Sequence, residues 1–311
     1  MAQVRLLLFV ACFRCFLPSI ASAAPAPEDE WLNALYEEIA RDLVRAKPLV
    51  VQVHVPLCDS NIIRCGNERL GDGNNPSTNL YWSTSGGFKG WFKTVGGWKR
   101  VAQTTSASGP ILERIVWRKT VGPTSNWRSR GVRKRFNVYV VAFAWRGDAI
   151  SQAIDQYVDD LYGATATEVV LKDGTQLQAG GAAHVVDYVG HNGWMDIPPY
   201  DWKRAAAKQA RRKKATIAVA CLTADYLAKP VSDTHRVPLL MTTSLLFAGA
   251  HSFEGAVSAF ANGNSLAQIR NRAVKNYARG QKKLFRRVRG GFTNPSDKRW
   301  RRYVGDGRDG K

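Results

Sequence analysis

Two residues with reactive side chains each follow an apolar segment of this 311-residue chain. His191 follows residues 184–190, HVVDYVG, and Cys221 follows residues 215–220, ATIAVA. An imidazole exchanges protons near neutral pH, and a thiolate is a strong nucleophile. A cysteine and a histidine that meet in the fold would therefore suit attack on an acyl carbon, with the thiol as nucleophile and the imidazole as acid and base.

The elements around these two residues indicate how they would be positioned. Each apolar segment has the length and the β-branched composition of a buried strand. Residues 201–214 between them have helical composition, and the order strand, helix, strand is typical of parallel neighbours joined by a crossover. In an open parallel sheet, ligands bind beyond the carboxyl ends of the strands. The pattern therefore predicts that His191 and Cys221 face each other at that edge of a sheet.

Strands and helices are predicted to alternate along most of the chain. Further strands are predicted at residues 49–57, 111–118, 137–144 and 237–243, and further helices at residues 28–46, 87–101, 148–162, 247–262 and 265–285. Such alternation favours a three-layer α/β/α sandwich with a mainly parallel central sheet.

The first residues have the pattern of a secretory signal peptide. A basic start is followed by a mostly apolar segment, residues 6–20, and by the small residues Ala21-Ser22-Ala23. We expect residues 1–23 to be removed and the mature chain to be secreted or periplasmic, without a transmembrane segment. The alternative is that the segment stays attached as an anchor.

Three cysteines remain after the predicted cleavage: Cys58, Cys65 and Cys221. An exported chain enters an oxidising compartment, where paired thiols form disulfides. Cys58 and Cys65 flank a short polar loop, and we predict that they pair with each other. Cys221 is then the unpaired thiol and a candidate reactive group, with a buried structural cysteine as the alternative.

Positive charge dominates the chain, with 45 Lys and Arg against 25 Asp and Glu. Residues 115–136 and 203–214 each carry seven Lys or Arg without an acid, and residues 270–311 carry fifteen against three acids. Such segments attract nucleic acid, anionic lipid or acidic polysaccharide. An anionic surface or a polyanion is therefore one predicted partner, and an ordinary solvated face is the alternative.

The surroundings of the two reactive residues resemble a known group of enzymes. A hydrophobic strand that ends in His191 within Gly190–Gly193 (GHNG), and a later one that ends in Ala220-Cys221, are similar to the marks of the caspase, legumain and gingipain clan of cysteine peptidases. The resemblance covers residues 48–285 and implies a caspase-like fold and hydrolysis of peptide bonds by a Cys-His dyad. The strings GHNG and NLYW, residues 79–82, also resemble those of a group of bacterial exported proteins.

The resemblance also implies roles for individual residues. Cys221 would attack the acyl carbon, and His191 would protonate the leaving amine and later activate water. The N–H of Cys221, together with that of Asn192 or Gly193, would stabilise the oxyanion. The clan has glycine directly after the histidine, whereas this chain has Asn192 there and glycine only at 193.

A substrate pocket in this clan is built by the end of the first strand and by residues near the cysteine. Asp59 and Asp225 occupy such positions. If both face the pocket, they would accept an Arg or Lys side chain of a polypeptide substrate. The alternative is that each caps or pairs locally.

The sequence thus divides into a signal peptide (1–23), an N-terminal helix (24–47), a caspase-like domain (48–289) and a poorly ordered basic tail (290–311). The chain has no Gly-x-Ser-x-Gly, His-Glu-x-x-His or Cys-x-x-Cys motif, so we expect neither a metal nor a cofactor. Two alternatives to a peptidase stay open. One is a catalytically degenerate binding protein of the same fold, and the other is a polyanion-binding exported protein.

Overall fold

The computed structural model describes residues 27–207, 212–232 and 236–305. The predicted signal peptide, residues 1–23, lies outside the described residues, as do residues 24–26 of the predicted N-terminal segment. Within the described ranges, no helix combines the length and the apolar character needed to cross a membrane.

A large, mostly parallel sheet forms the centre of the fold. The strands of the chain are β1 (Leu49–Pro56), β2 (Lys99–Thr105), β3 (Ile111–Val121), β4 (Phe136–Trp145), β5 (Ala166–Val170), β6 (Gln176–Gly180), β7 (Val185–Val189), β8 (Lys214–Val219), β9 (Arg236–Thr242) and β10 (Phe292–Thr293). Eight of them pair in the order β10-β9-β8-β7-β1-β4-β3-β2, while β5 and β6 form a separate hairpin. The five central strands, from β9 to β4, are parallel, and antiparallel strands close both edges.

Helices cover both faces of this sheet. They are α1 (Pro27–Val44), α2 (Phe88–Thr94), α3 (Ser125–Ser129), α4 (Ile150–Tyr162), α5 (Trp202–Ala207), α6 (Thr223–Val231), α7 (Ala250–Ala261), α8 (Leu266–Gly280), α9 (Phe285–Val288) and α10 (Arg301–Val304). Apolar residues of α1, α7 and α8 share one buried layer, and those of α4 and α6 share the other. The predicted three-layer α/β/α sandwich is therefore confirmed.

Strand β1 shows how the sequence sets the two layers. All eight of its residues are buried, and side chains of a strand alternate between its faces. Val51, Val53 and Val55 enter the α1 layer. His54 enters the other, where Nδ1 accepts from Trp145 Nε1 at 3.1 Å and Nε2 lies 3.0 Å from a carboxylate oxygen of Asp160. Because Nδ1 is an acceptor, Nε2 carries the proton and donates it, so this histidine is a satisfied core residue.

Two predicted segments differ from the structure. The predicted helix 87–101 is helical only as α2, because the pair Gly96-Gly97 follows it, with Gly97 at φ +87°, and strand β2 begins at Lys99. Residues 290–305, predicted as part of a poorly ordered tail, instead contain β10 and α10. Phe292 and Trp300, which are 1% and 5% exposed, anchor this segment to the core. The many basic residues of this segment predict exposure, and two isolated aromatic residues among them are a weak signal of burial.

Candidate active site

The two reactive residues follow the ends of neighbouring parallel strands, at equivalent positions in the strand pairing. Val189 of β7 pairs with Val219 of β8, and His191 and Cys221 each follow two residues later. The pairing extends beyond the strands, because the Gly190 N–H donates to the Val219 carbonyl at 3.1 Å. Gly190 has φ +153°, and a Cβ there would lie 3.0 Å from the Pro56 carbonyl oxygen, so the turn requires glycine. The two turns therefore begin side by side, as the sequence predicts.

Asn192 connects one turn to the other. Its side-chain amide Nδ2 donates to the Cys221 carbonyl at 2.5 Å, and its Oδ1 accepts from the Trp194 N–H at 3.2 Å. The residue is 0% exposed. Its backbone, at φ −83° and ψ 85°, lies in a region open to any residue, so this position does not need glycine. The departure from the clan pattern therefore introduces a buried cross-link without backbone strain.

Some backbone N–H groups of the two turns are hydrogen-bonded and others are free. The Gly193 N–H donates to the His191 carbonyl at 3.1 Å and is already engaged. Within the described part of the chain, no acceptor pairs with the N–H of Asn192 or of Cys221. An oxyanion requires free N–H groups. Of the two second donors that the sequence left open, the Asn192 N–H is the unengaged one, and the residue itself is 0% exposed.

His191 is oriented by an acid that sequence reasoning missed. Its Nε2 contacts the Asp196 carboxylate, which leaves Nδ1 as the other ring nitrogen, and the side chain is 11% exposed. The Tyr188 hydroxyl donates to the His191 carbonyl at 2.7 Å and so stabilises the turn. A carboxylate on one ring nitrogen holds the imidazole in one tautomer and orientation. The only signal in the sequence was an acid five residues after the histidine.

Cys221 is a free, partly buried thiol at a sharp turn. The next residue, Leu222, adopts φ +53°, which leucine rarely does, and its N–H donates to the Ser244 carbonyl at 3.2 Å. Helix α6 begins directly afterwards at Thr223, and the positive end of a helix favours an anion nearby. Strain of this kind concentrates at functional sites.

The sulfur and the imidazole do not bond to each other in this structure. The nearest acceptor of Cys221 Sγ is the Leu246 carbonyl at 3.6 Å, and the described contact of His191 Nε2 is with Asp196. Tyr81 and Tyr277 also lie close enough to Cys221 to respond to its charge. Burial raises the pKa of both phenols, and the neighbouring thiolate raises it further.

The two predicted pocket acids have different surroundings. Asp59 is buried, accepts from the Asn61 N–H at 2.9 Å, and packs between Gly73 and Gly147. Asp225 is exposed in the first turn of α6. No described contact joins these two carboxylates to each other or to the thiol.

A disulfide joins Cys58 to Cys65 at the start of the long loop after β1, which is the predicted pair. It fixes the start of the segment that brings Tyr81 towards Cys221. Among the described residues, no group of three or more His, Cys, Asp and Glu side chains could hold a metal ion. No family model, curated protein or solved structure matches the chain. The geometry of the site and the resemblance of its two motifs are therefore what point to a function.

Proposed function

We propose that this protein is an exported cysteine peptidase of caspase-like fold, with Cys221 as nucleophile and His191 as general acid and base. The observation that carries the proposal is the equal register of these two residues at the ends of β7 and β8, with Asn192 bonded across to the Cys221 carbonyl. Val189 and Val219 belong to the same buried layer.

The reaction that these groups suit is acyl transfer to sulfur. The Cys221 thiolate attacks the carbonyl carbon of a peptide bond, and the carbonyl oxygen takes the negative charge. The N–H groups of Cys221 and Asn192 stabilise that oxyanion. His191 then protonates the leaving amine as the C–N bond breaks, and in the second half it removes a proton from the water that releases the acid.

Two rearrangements would bring the apo geometry to a reactive one. The thiol has to leave the Leu246 carbonyl, and the His191 ring has to approach the sulfur while Asp196 holds its other side. Hydrogen bonds at catalytic sites are often long or misaligned before substrate binds. Asp196 then acts as a positioning residue. The pair Asp59 and Asp225 enters this proposal only as a sequence-based expectation for a basic side chain of the substrate.

The test is the reactivity of Cys221 measured together with peptide hydrolysis. Mature wild-type protein is treated with iodoacetamide at pH 7, and cleavage of a quenched fluorescent peptide library is followed in parallel. We expect single-site alkylation that disappears in Cys221→Ala. We expect His191→Ala to lower the rate of peptide hydrolysis about 10²- to 10⁴-fold.

The control is Asn61→Ala, which changes an exposed side chain and leaves Cys221 and His191 in place. It should alkylate and hydrolyse peptides like wild type. If the thiol of the folded protein alkylates as slowly as a buried one and no peptide is cleaved, the peptidase proposal fails. The degenerate binding protein then becomes the better description.

A second candidate function, polyanion binding, has its own supporting observation. A cavity of about 460 Å³ lies between the end of α1 and the start of β4, and Lys47, Arg133, Lys134 and Arg135 line it without any acid. We call these four residues the basic cleft. It sits at the amino ends of β1 and β4, opposite the edge that carries Cys221. Anion binding there would thus be independent of catalysis.

Retention on immobilised heparin tests the basic cleft. Binding through it predicts that log K falls linearly with log salt concentration, and that Lys134→Glu with Arg135→Glu lowers the slope by roughly 2. The control is the pair Arg286→Glu with Arg287→Glu, on α9, which removes the same charge elsewhere. If both double variants lower the slope equally, the basic cleft is not a specific binding site but an ordinary charged face.

A further inference from the structure

The segment around the short helix α9 presents a second group of basic residues. Residues 255–296 contain nine Lys or Arg and no acid. Five of the nine lie on the turn between α8 and α9, on α9 or directly after it, and all five are exposed. We define the α9 surface as the six exposed residues Lys282, Lys283, Leu284, Arg286, Arg287 and Arg289. Within the described ranges, no carboxylate pairs with any of its five cations, so their positive charge is uncompensated.

The turn between α8 and α9 presents its lysines at a conformational cost. The Lys283 N–H donates to the Ala278 carbonyl at 2.8 Å, which closes the last turn of α8. Lys282 adopts φ +51°, a region that glycine enters freely and that other residues rarely adopt. The backbone therefore needs no side chain at this position, and the one that is present carries a charge into solvent.

An exposed leucine lies among these cations. Within the described ranges, only two leucines expose more than half of their surface: Leu245 at 71% and Leu284 at 53%. Phe285 and Val288 supply the contacts of α9 with the core, so the core does not use Leu284. Exposed apolar side chains surrounded by cations are typical of a surface that meets lipid. The aliphatic group enters the interfacial region of the bilayer, and the cations meet anionic headgroups.

The loop that carries Leu245 is hydrogen-bonded to the segment that follows α9. The Thr243 N–H donates to the Gly291 carbonyl at 3.0 Å, and the Thr243 hydroxyl donates to the Gly290 carbonyl at 2.7 Å. A Cβ at Gly291 would lie 4.0 Å from the Leu246 side chain. The two exposed leucines therefore belong to adjoining segments and not to unrelated parts of the fold.

A cavity of about 390 Å³ beside α9 extends the positive charge inwards. The charged residues in its wall are Arg270, Arg289, Arg299 and Asp297. Asp297 contacts both Arg270 and Arg299, whereas no described carboxylate pairs with Arg289. Three guanidinium groups against one carboxylate leave an excess of positive charge. Arginine binds phosphate through parallel N–H donors, so a cavity of this composition suits the phosphate of a lipid headgroup.

We propose that the α9 surface, together with Leu245, docks the protein on a bilayer that contains anionic phospholipid. Leu284 and Leu245 enter the interfacial region, and the cations contact headgroup phosphates. Both kinds of contact are needed, because a single weak signal gives only marginal membrane binding. A soluble polyanion would satisfy the cations but has no apolar phase to receive the leucines, and this favours lipid. The proposal uses neither Cys221 nor His191 and is independent of the peptidase function.

Partition of the mature chain onto phospholipid vesicles, measured by co-sedimentation, tests the proposal. One vesicle contains phosphatidylcholine alone, and the other contains equal parts of phosphatidylcholine and phosphatidylglycerol. We expect binding only to the second. Arg286→Gln with Arg287→Gln should weaken it about 30-fold, as for the loss of two cations near an anionic membrane. Leu284→Ser and Leu245→Ser should each weaken it about 5- to 10-fold, through loss of the buried aliphatic group.

Two matched controls make the same changes elsewhere. Lys134→Gln with Arg135→Gln removes two exposed cations from the basic cleft, and Val170→Ser removes an aliphatic side chain that is 60% exposed on β5. Both should partition like wild type.

The proposal is overturned if the wild-type chain does not bind the anionic vesicle, or if the controls weaken binding as much as the α9 variants in proteins with wild-type circular dichroism. Leu284→Ser should keep wild-type retention on immobilised heparin. If the leucine variants partition like wild type and only the arginine variant loses vesicle binding, the α9 surface binds polyanions through charge alone, and the assignment to lipid is wrong.

Discussion

Asn192 offers the sharpest test of the site, because its side chain and its backbone N–H have separate roles. Asn192→Ala removes two hydrogen bonds, to the Cys221 carbonyl and from the Trp194 N–H, and keeps the N–H. Each bond is worth about 1 kcal/mol, and the buried partners left unpaired add to this. We therefore expect the free energy of unfolding to fall by about 2–4 kcal/mol.

Asn192→Pro removes the same two bonds and also the N–H. The backbone at φ −83° is close to the value that proline fixes, near −65°, so the ring fits without large strain. Loss of one oxyanion donor should lower kcat about 10²- to 10³-fold relative to Asn192→Ala. Alkylation by iodoacetamide should be equal in the two variants, because displacement of iodide creates no oxyanion.

The assays are urea unfolding followed by Trp fluorescence, peptide hydrolysis, and Cys221 alkylation. Asn61→Ala is the control, because that side chain is exposed and should change stability by less than about 0.5 kcal/mol. If Asn192→Pro hydrolyses peptides as fast as Asn192→Ala, this N–H is not an oxyanion donor. If Asn192→Ala unfolds like wild type, the cross-link between the turns has no energetic weight.

Two further predictions concern buried charged groups. Asp160→Ala should lower the free energy of unfolding by about 3–5 kcal/mol in urea titrations, because it leaves the buried His54 without its acceptor. Burial lowers the pKa of Lys214 from 10.5 to about 7. Between these two values the unfolded chain binds more protons than the folded chain, so the free energy of unfolding of the wild type should rise from pH 7 to 9.5. Lys214→Met should remove that rise, as measured by urea midpoints.

The sequence predicts the sheet well because its signals are local. Runs of β-branched residues mark β1, β4, β7 and β8, and the helical composition between β7 and β8 gives their crossover. The same locality explains why the ends of β7 and β8 could be predicted to meet. The failures also have local causes, such as the glycine pair after α2 and the two isolated aromatic anchors in the basic C-terminal segment.

Contacts between distant segments could not have been predicted from the sequence. Residues 84–94, 247–251 and 279–281 line one cavity, although they are far apart in the chain and carry no shared motif. Only tertiary packing brings the rings of Trp91 and His251 to a centroid distance of 4.5 Å. The role of Asn192 was hidden for a related reason, since its hydrogen-bond partner is 29 residues away.

The meaning of Asn192 follows from what the position has to supply. An oxyanion needs a backbone N–H, and every residue except proline has one, so glycine at this position is required only where the backbone needs a positive φ. Here φ is −83°, and the positive φ occurs one residue earlier than His191, at Gly190. The residue of this turn that needs a positive φ is therefore Gly190, before the histidine, and not the residue after it. A side chain at 192 then becomes available to fix the Cys221 carbonyl, and the departure from the clan pattern is compatible with the dyad rather than evidence against it.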